Sequence, residues 1–159
     1  MDLLEREGEL VRVKKEVDPK YEIAAYIRKT SDLQGPALLF EKVKGHKIPV
    51  VGGLYVTRKL ARMAMEAANE NVLQKFLRGI KNPIPTKLVS EASCQEVVLK
   101  GSDVDLLALP NPIYSEKDGG PYITVGVQIS KDPDTRSKNA AIYRMQVKGK
   151  NRLGIMSNS

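Results

Sequence analysis

Apolar residues recur along this chain with two different periods, and the first half mixes both. Residues 2 to 8 predict a short helix ended by Gly8, and Leu10-Val11-Arg12-Val13 alternates as a half-buried strand does. Asp18 stands where an N-cap belongs, Pro19 follows at the first helical position, and Ile23, Ala24 and Ile27 share a face. A second helix running to about Thr30 is predicted. After Gly35-Pro36, the runs Ala37-Leu38-Leu39-Phe40 and Ile48-Pro49-Val50-Val51 flank the polar stretch Lys44-Gly45-His46-Lys47, the pattern of two strands around a turn. Thr57 can cap a helix with Leu60, Ala61, Ala64 and Ala68 on one face; past Asn69-Glu70-Asn71, the residues Val72, Phe76, Leu77 and Ile80 mark another.

Pro83 and Pro85 interrupt any helix between Asn82 and Thr86, and Pro110-Asn111-Pro112 forms a second boundary. Between them Glu96-Val97-Val98-Leu99 reads as extended. Beyond Tyr114 the period of two takes over: Tyr122 to Ile129 and Ala140 to Val147 predict long strands, and Gly149-Lys150-Asn151 turns the chain into Arg152 to Met156. The expected fold class is α+β, with an N-terminal α/β domain over residues 1–110 and an antiparallel meander over 111–159 whose last strand has no further partner to close a barrel.

Composition narrows the function classes. With 42% apolar residues in 159, no tryptophan and little other aromatic content, the core must rest on aliphatic side chains. No apolar run is long enough to span a bilayer and the first residues are charged, so neither a membrane span nor a secretion signal is expected. The single cysteine, Cys94, cannot form an intrachain disulfide, which suits a cytoplasmic location. The net charge of +7 is spread among acids, without a basic block or a nucleic-acid motif, and reads as a solvated surface or a site for bound phosphate.

Spacing by itself marks no catalytic constellation. One histidine and one cysteine exclude a chain-internal Cys/His zinc site, and neither a Gly-x-Ser-x-Gly elbow nor a Gly-Lys-Ser phosphate loop is present. His46 reads as a solvent-facing turn residue and Cys94 as a small strand filler.

Three stretches read together differ from this background: Glu116-Lys117-Asp118-Gly119-Gly120-Pro121-Tyr122-Ile123-Thr124, Asn139-Ala140-Ala141-Ile142-Tyr143-Arg144-Met145-Gln146-Val147, and Asn151-Arg152-Leu153-Gly154-Ile155. With Asp103 to Pro110 before them, they resemble the UbiD family of decarboxylases, which includes 3-polyprenyl-4-hydroxybenzoate decarboxylase. The resemblance spans the whole chain and is most specific from about residue 97 to 156.

The resemblance implies a flavin-reductase-like split β-barrel, begun here by its first strands, and a carboxy-lyase acting on an aromatic or α,β-unsaturated acid. It implies prenylated FMN supplied by a flavin prenyltransferase, a manganese ion with potassium as a further candidate, and a homo-oligomer at full length, with no nucleic-acid partner. Asn139 corresponds to the family's metal ligand, a suitable hard oxygen donor, and Ile142, Tyr143 and Arg144 to positions lining the cofactor. Met156, Ser157 and Asn158 fall where the next strand meets it. Strand alternation puts Ile142 and Arg144 opposite Tyr143, so a Tyr143 contact is expected through backbone. Arg144 corresponds to the arginine that lies between two glutamates in the family and helps hold the substrate carboxylate near the flavin, a task its two-pronged guanidinium suits; on its residues alone it reads as a surface arginine paired with a neighbouring acid. The family's metal-ligating and proton-donating glutamates correspond to no position in these 159 residues. A non-catalytic flavin-binding or assembly module is the alternative reading.

Overall fold

A computed structural model describes residues 1–67 and 71–156. Its elements are α1 (Asp2–Arg6), β1 (Leu10–Val13), α2 (Glu22–Asp32), β2 (Ala37–Phe40), β3 (Val50–Gly52), α3 (Arg58–Ala64), α4 (Val72–Lys81), β4 (Tyr122–Lys131), β5 (Lys138–Gly149) and β6 (Arg152–Ile155). They form mixed helix and strand structure around two three-stranded sheets, in the orders β1-β2-β3 and β4-β5-β6.

In the first sheet β1 runs parallel to β2, which requires a crossover, and α2 provides it. β3 returns antiparallel to β2, as the turn at Lys44 to Lys47 predicts, with His46 N–H donating to the Val43 carbonyl at 3.0 Å. The apolar face of α2 packs here: Val17, Ile23, Leu38, Phe40 and Val43 are buried together, with Val13, Tyr26, Ile27 and Val50 packed against them. The Tyr26 ring meets Phe40 edge-on, with centroids 5.7 Å apart.

Helix α2 begins at Glu22, later than the Asp18-Pro19 signal predicts. The Asp18 carboxylate is used locally, accepting the Lys20 N–H at 2.8 Å, which holds its pKa below the ordinary range. Pro19 to Tyr21 are instead drawn into pairing with a distant segment: Tyr21 N–H donates to the Ile113 carbonyl at 2.9 Å and Ile113 N–H to the Pro19 carbonyl at 3.0 Å. Tyr21 takes φ 73° to make the corner. Long-range pairing here outweighs a local cap.

Thr57 caps α3 as expected, its Oγ1 accepting the Leu60 N–H at 3.1 Å, and Leu60 is buried. Asn71 caps α4. The predicted α4 stripe is present, but Phe76, Leu77 and Ile80 are exposed among the described residues, so α4 adds nothing to the core. Ala68, Asn69 and Glu70 lie outside the described residues. The extended reading of Glu96 to Leu99 is not met: Val97, Val98 and Leu99 are exposed and unpaired, following a single 3-10 turn at Ser93–Gln95. Cys94 is an exposed residue of that turn, not a strand filler. Among the described residues no strand faces this run to pair with it.

Residues 105–121 fasten the two sheets. Leu106 N–H donates to the Lys150 carbonyl at 2.7 Å, and His46 Nδ1 lies 3.1 Å from the Ala108 carbonyl, which makes the half-buried His46 a tie across the seam. No helix among the described residues is long and apolar enough to cross a membrane.

Phe40 is fully buried at the centre of the first sheet. Phe40→Ala should therefore cost about 3–5 kcal/mol of unfolding free energy, read as a lower midpoint in urea denaturation followed by circular dichroism.

Candidate functional site

β5 is the central strand of the second sheet and carries most of the residues singled out by sequence. Its pairing with β4 runs without interruption from Lys138↔Lys131 to Tyr143↔Gly126, then shifts by one before Met145↔Ile123. Thr124 and Val125 thus both oppose Arg144, a bulge that leaves the arginine without a single cross-strand partner. Gly126 adjoins the bulge, and a Cβ there would collide with the Met145 methyl.

Alternation along β5 and its register fix two faces. One carries Ile142 and Arg144, together with Tyr122 of β4 before the bulge and Val127 and Ile129 after it. The other carries Asn139, Ala141, Tyr143, Met145 and Val147, with Leu153 and Ile155 of β6. The first face is open: Val127 is 63% exposed, Ile129 73% and Ile142 63%. On the second, Val147 is buried.

Arg144 is not the ion-paired surface arginine that its residues alone suggest. Among the described residues it makes no salt bridge; its guanidinium carbon lies 4.9 Å from the centre of the Tyr122 ring. The nearby acid, Asp118, is engaged by backbone, accepting the N–H groups of Tyr114 at 3.2 Å and Ser115 at 2.9 Å. A cleft of about 370 Å³ opens at this point, lined by Tyr114, Ser115, Asp118, Tyr122, Thr124 and Arg144. The Gly119-Gly120 turn that leads into Tyr122 is fastened to β5 by the Gln146 amide, which donates to the Gly119 carbonyl at 2.7 Å, and by Val147 N–H to the Pro121 carbonyl at 2.9 Å. Tyr122 is the residue that sequence reasoning passed over. It stands in the quoted Asp-Gly-Gly-Pro-Tyr stretch, but its relation to Arg144 depends on the bulge.

The structure brings Ile142 and Arg144 onto one face and Asn139 onto the other. Tyr143 is half-buried, with its side chain turned away from the Ile142 face. Met156 is exposed just past β6, and Ser157 and Asn158 lie outside the described residues. The open apolar face ending at Arg144 fits a planar aromatic group with a negative charge. For a metal the fit is partial: the Asn139 side chain is exposed and makes no hydrogen bond to a described residue, so its oxygen is available as one hard donor. No group of three or more His, Cys, Asp or Glu side chains that could complete a shell occurs among the described residues.

The site so described is an exposed arginine beside an open apolar strand face in a mixed α/β chain. Comparison with known families makes this particular. Residues 1–80 match the 3-octaprenyl-4-hydroxybenzoate carboxy-lyase N-terminal domain and residues 87–159 its Rift-related domain. The chain belongs to the UbiD family. It is 41% identical over 160 aligned residues to an uncharacterized protein in the cooM 5′ region of Rhodospirillum rubrum, covering 98% of this chain and 34% of that one. Among solved structures it is similar to the UbiD-class enzyme HmfF of Pelotomaculum thermopropionicum in complex with FMN, at 42% identity and TM-score 0.90 over 99% of this chain and 35% of HmfF. An evolved dimeric form of HmfF in complex with prFMN matches at TM-score 0.91, with 42% identity over 99% of this chain and 37% of that one. The closed form of Sedimentibacter hydroxybenzoicus vanillic acid decarboxylase matches at TM-score 0.88, with 34% identity over 99% of this chain and 36% of the decarboxylase. The chain thus spans about a third of the length of the relatives it matches.

Gly120 has φ +137°, a conformation side-chain-bearing residues rarely adopt. Gly120→Ala should cost about 1–3 kcal/mol in urea denaturation, because the strain falls on a turn tied to β5 at both ends.

Proposed function

We propose that this chain forms part of a UbiD-class carboxy-lyase that decarboxylates an aromatic or α,β-unsaturated acid with prenylated FMN. The observation carrying this reading is Arg144, a guanidinium without an acid partner among the described residues, beside the open face of Ile142 and Val127, in a chain whose family includes structures in complex with FMN and prFMN. The β4–β6 sheet is then the first part of a flavin-reductase-like split barrel. Residues 1–110 and 111–159 act as its two domains, the acidic residues needed for metal binding and protonation come from polypeptide outside this set, and the complete protein works as a cytoplasmic homo-oligomer.

Each residue has a defined task in this reading. Arg144 binds the substrate carboxylate through two parallel N–H···O bonds and keeps its charge at every working pH. Ile142 and Val127 give the apolar surface against which cofactor and substrate rings lie and from which water is excluded. Tyr143 contributes backbone groups, and Met156, Ser157 and Asn158 line the cofactor from the following segment. Asn139 would give its side-chain oxygen to a metal ion, manganese or, as a further candidate, potassium, for which a hard oxygen donor is suited. The bound prenylated flavin, supplied by a flavin prenyltransferase, accepts the electrons of the breaking C–C bond. Asn139 and Arg144 lie on opposite faces of β5, so the two tasks fall to different sides of the strand.

In an active preparation containing this chain, Arg144→Lys should leave the melting temperature near wild type and lower carbon dioxide release from aromatic and acrylic acids at least about tenfold, roughly 1.4 kcal/mol in the barrier. A variant that melts early with its specific activity intact identifies Arg144 as structural instead. Asn139→Ala should lower both manganese content, by elemental analysis, and flavin occupancy, by absorbance. Retention of both removes Asn139 from the metal site, and flavin binding without any turnover by the unaltered protein favours a non-catalytic module.

A further inference from the structure

One wall of the cleft beside Arg144 is a loop, and β5 holds that loop by a side chain as well as by backbone. Tyr114, Ser115 and Asp118 line the cleft from the segment between Ile113 and Tyr122. Ile113 is bonded to Pro19 and Tyr21 at one end, and the Pro121 carbonyl accepts the Val147 N–H at the other. Within the loop the Asp118 carboxylate accepts the Tyr114 and Ser115 N–H groups, which folds the loop on itself without joining it to the sheet. Gln146 makes that join. It follows Arg144 by two residues on β5 and shares its face, and its side-chain amide donates to the Gly119 carbonyl at 2.7 Å.

Gly119 leaves room for this amide. A Cβ there would meet the Gln146 amide nitrogen at 2.8 Å, and Gly119 does not have the positive φ that Gly120 has. The missing side chain is thus a matter of space for Gln146 and not of backbone conformation. What would yield to an alanine is the free end of Gln146, so the substitution displaces the amide from its carbonyl and spares the backbone.

We propose that Gln146 is a positioning residue for the substrate: its amide clamps the Gly119-Gly120 turn to β5 and thereby fixes the wall of Tyr114, Ser115 and Asp118 across the cleft where the acid binds at Arg144. The inference rests on the reading of Arg144 as the carboxylate-binding residue and adds the group that sets the other side of its cleft. A wall held in place before the ligand arrives spares the cost of ordering it on binding. The clamp makes no contact that changes as the C–C bond breaks, so its effect falls equally on substrate and transition state, and therefore on KM and not on kcat.

Two substitutions break the clamp from opposite sides, since Gln146→Leu removes the donor and Gly119→Ala displaces it. In an active preparation containing this chain, both should speed deuterium exchange in peptides spanning residues 114–121, read by mass spectrometry. Both should also raise KM about fivefold, the loss of one neutral hydrogen bond, at near wild-type kcat, for the aromatic or acrylic acid turned over fastest. In a Gln146→Ala background, Gly119→Ala should add nothing, because the amide it displaces is gone. The alanine at 119 serves even where changes at Gln146 impair folding. Exchange at the wild-type rate across 114–121, or additive effects of the two substitutions, shows that the turn is held without Gln146; this overturns the clamp and leaves the Arg144 reading standing. A lower melting temperature and kcat at unchanged KM identifies the bond as structural only and overturns the positioning role. Wild-type activity in Arg144→Lys, or no turnover by the unaltered protein, overturns the underlying reading and this inference with it.

Discussion

β5 is hydrogen-bonded along both edges, to β4 from Lys138 to Gln146 and to β6 from Met145 to Gly149, and this double pairing decides to which side of the sheet each residue of its motif is delivered. Because side chains alternate strictly, a slip of one residue would move Ile142 and Arg144 to the half-buried face and put Tyr143 in their place. A central strand resists such slippage, since a slip must break two ladders at once. The bulge at Thr124 and Val125 adds a second constraint by taking up one extra residue on β4 opposite Arg144.

The N-terminal half bears on the site through the seam at residues 105–121. This segment has little regular structure, yet it pairs with Pro19 to Tyr21 on one side and with Lys150 and Pro121 to Val147 on the other. The pairing explains why α2 starts late and why Tyr21 accepts a left-handed backbone, since main-chain bonds to Ile113 are made at that corner. Tyr114, Ser115 and Asp118, which line the cleft at Arg144, follow directly from the same seam. The compact core around Phe40 thus anchors, through a chain of backbone bonds, the loop that shapes the cleft.

Electrostatics at the site follow from what the acids are already doing. Asp118 is occupied by two backbone N–H groups, and Glu5, Glu9, Glu22 and Glu41 pair with basic residues of the N-terminal half. Lys59 is held above its usual pKa by the hydrogen bond to Glu9, and Glu22 below its own chiefly by the Asp18 backbone N–H. These exposed pairs contribute little individually to stability. Among the described residues none of these acids pairs with Arg144.

The sequence by itself determined the strands and most helices, because alternation at Leu10 to Val13 and Tyr122 to Ile129, the cap at Thr57 and the turn at Lys44 to Lys47 are local signals with local causes. Its linked motifs also determined the family, and alternation alone put Ile142 and Arg144 on one face. Tertiary structure decided what depends on partners distant in sequence. Ile113 displaced the start of α2, and the apolar run at Val97 to Leu99 found no strand to join. Strict alternation carried back from Val127 would have put Ile123 on the face of Arg144 and Tyr122 on the opposite one. The single extra residue at the bulge reverses that parity and brings the Tyr122 ring to the guanidinium, and no period in the sequence marks where a ladder will skip a residue.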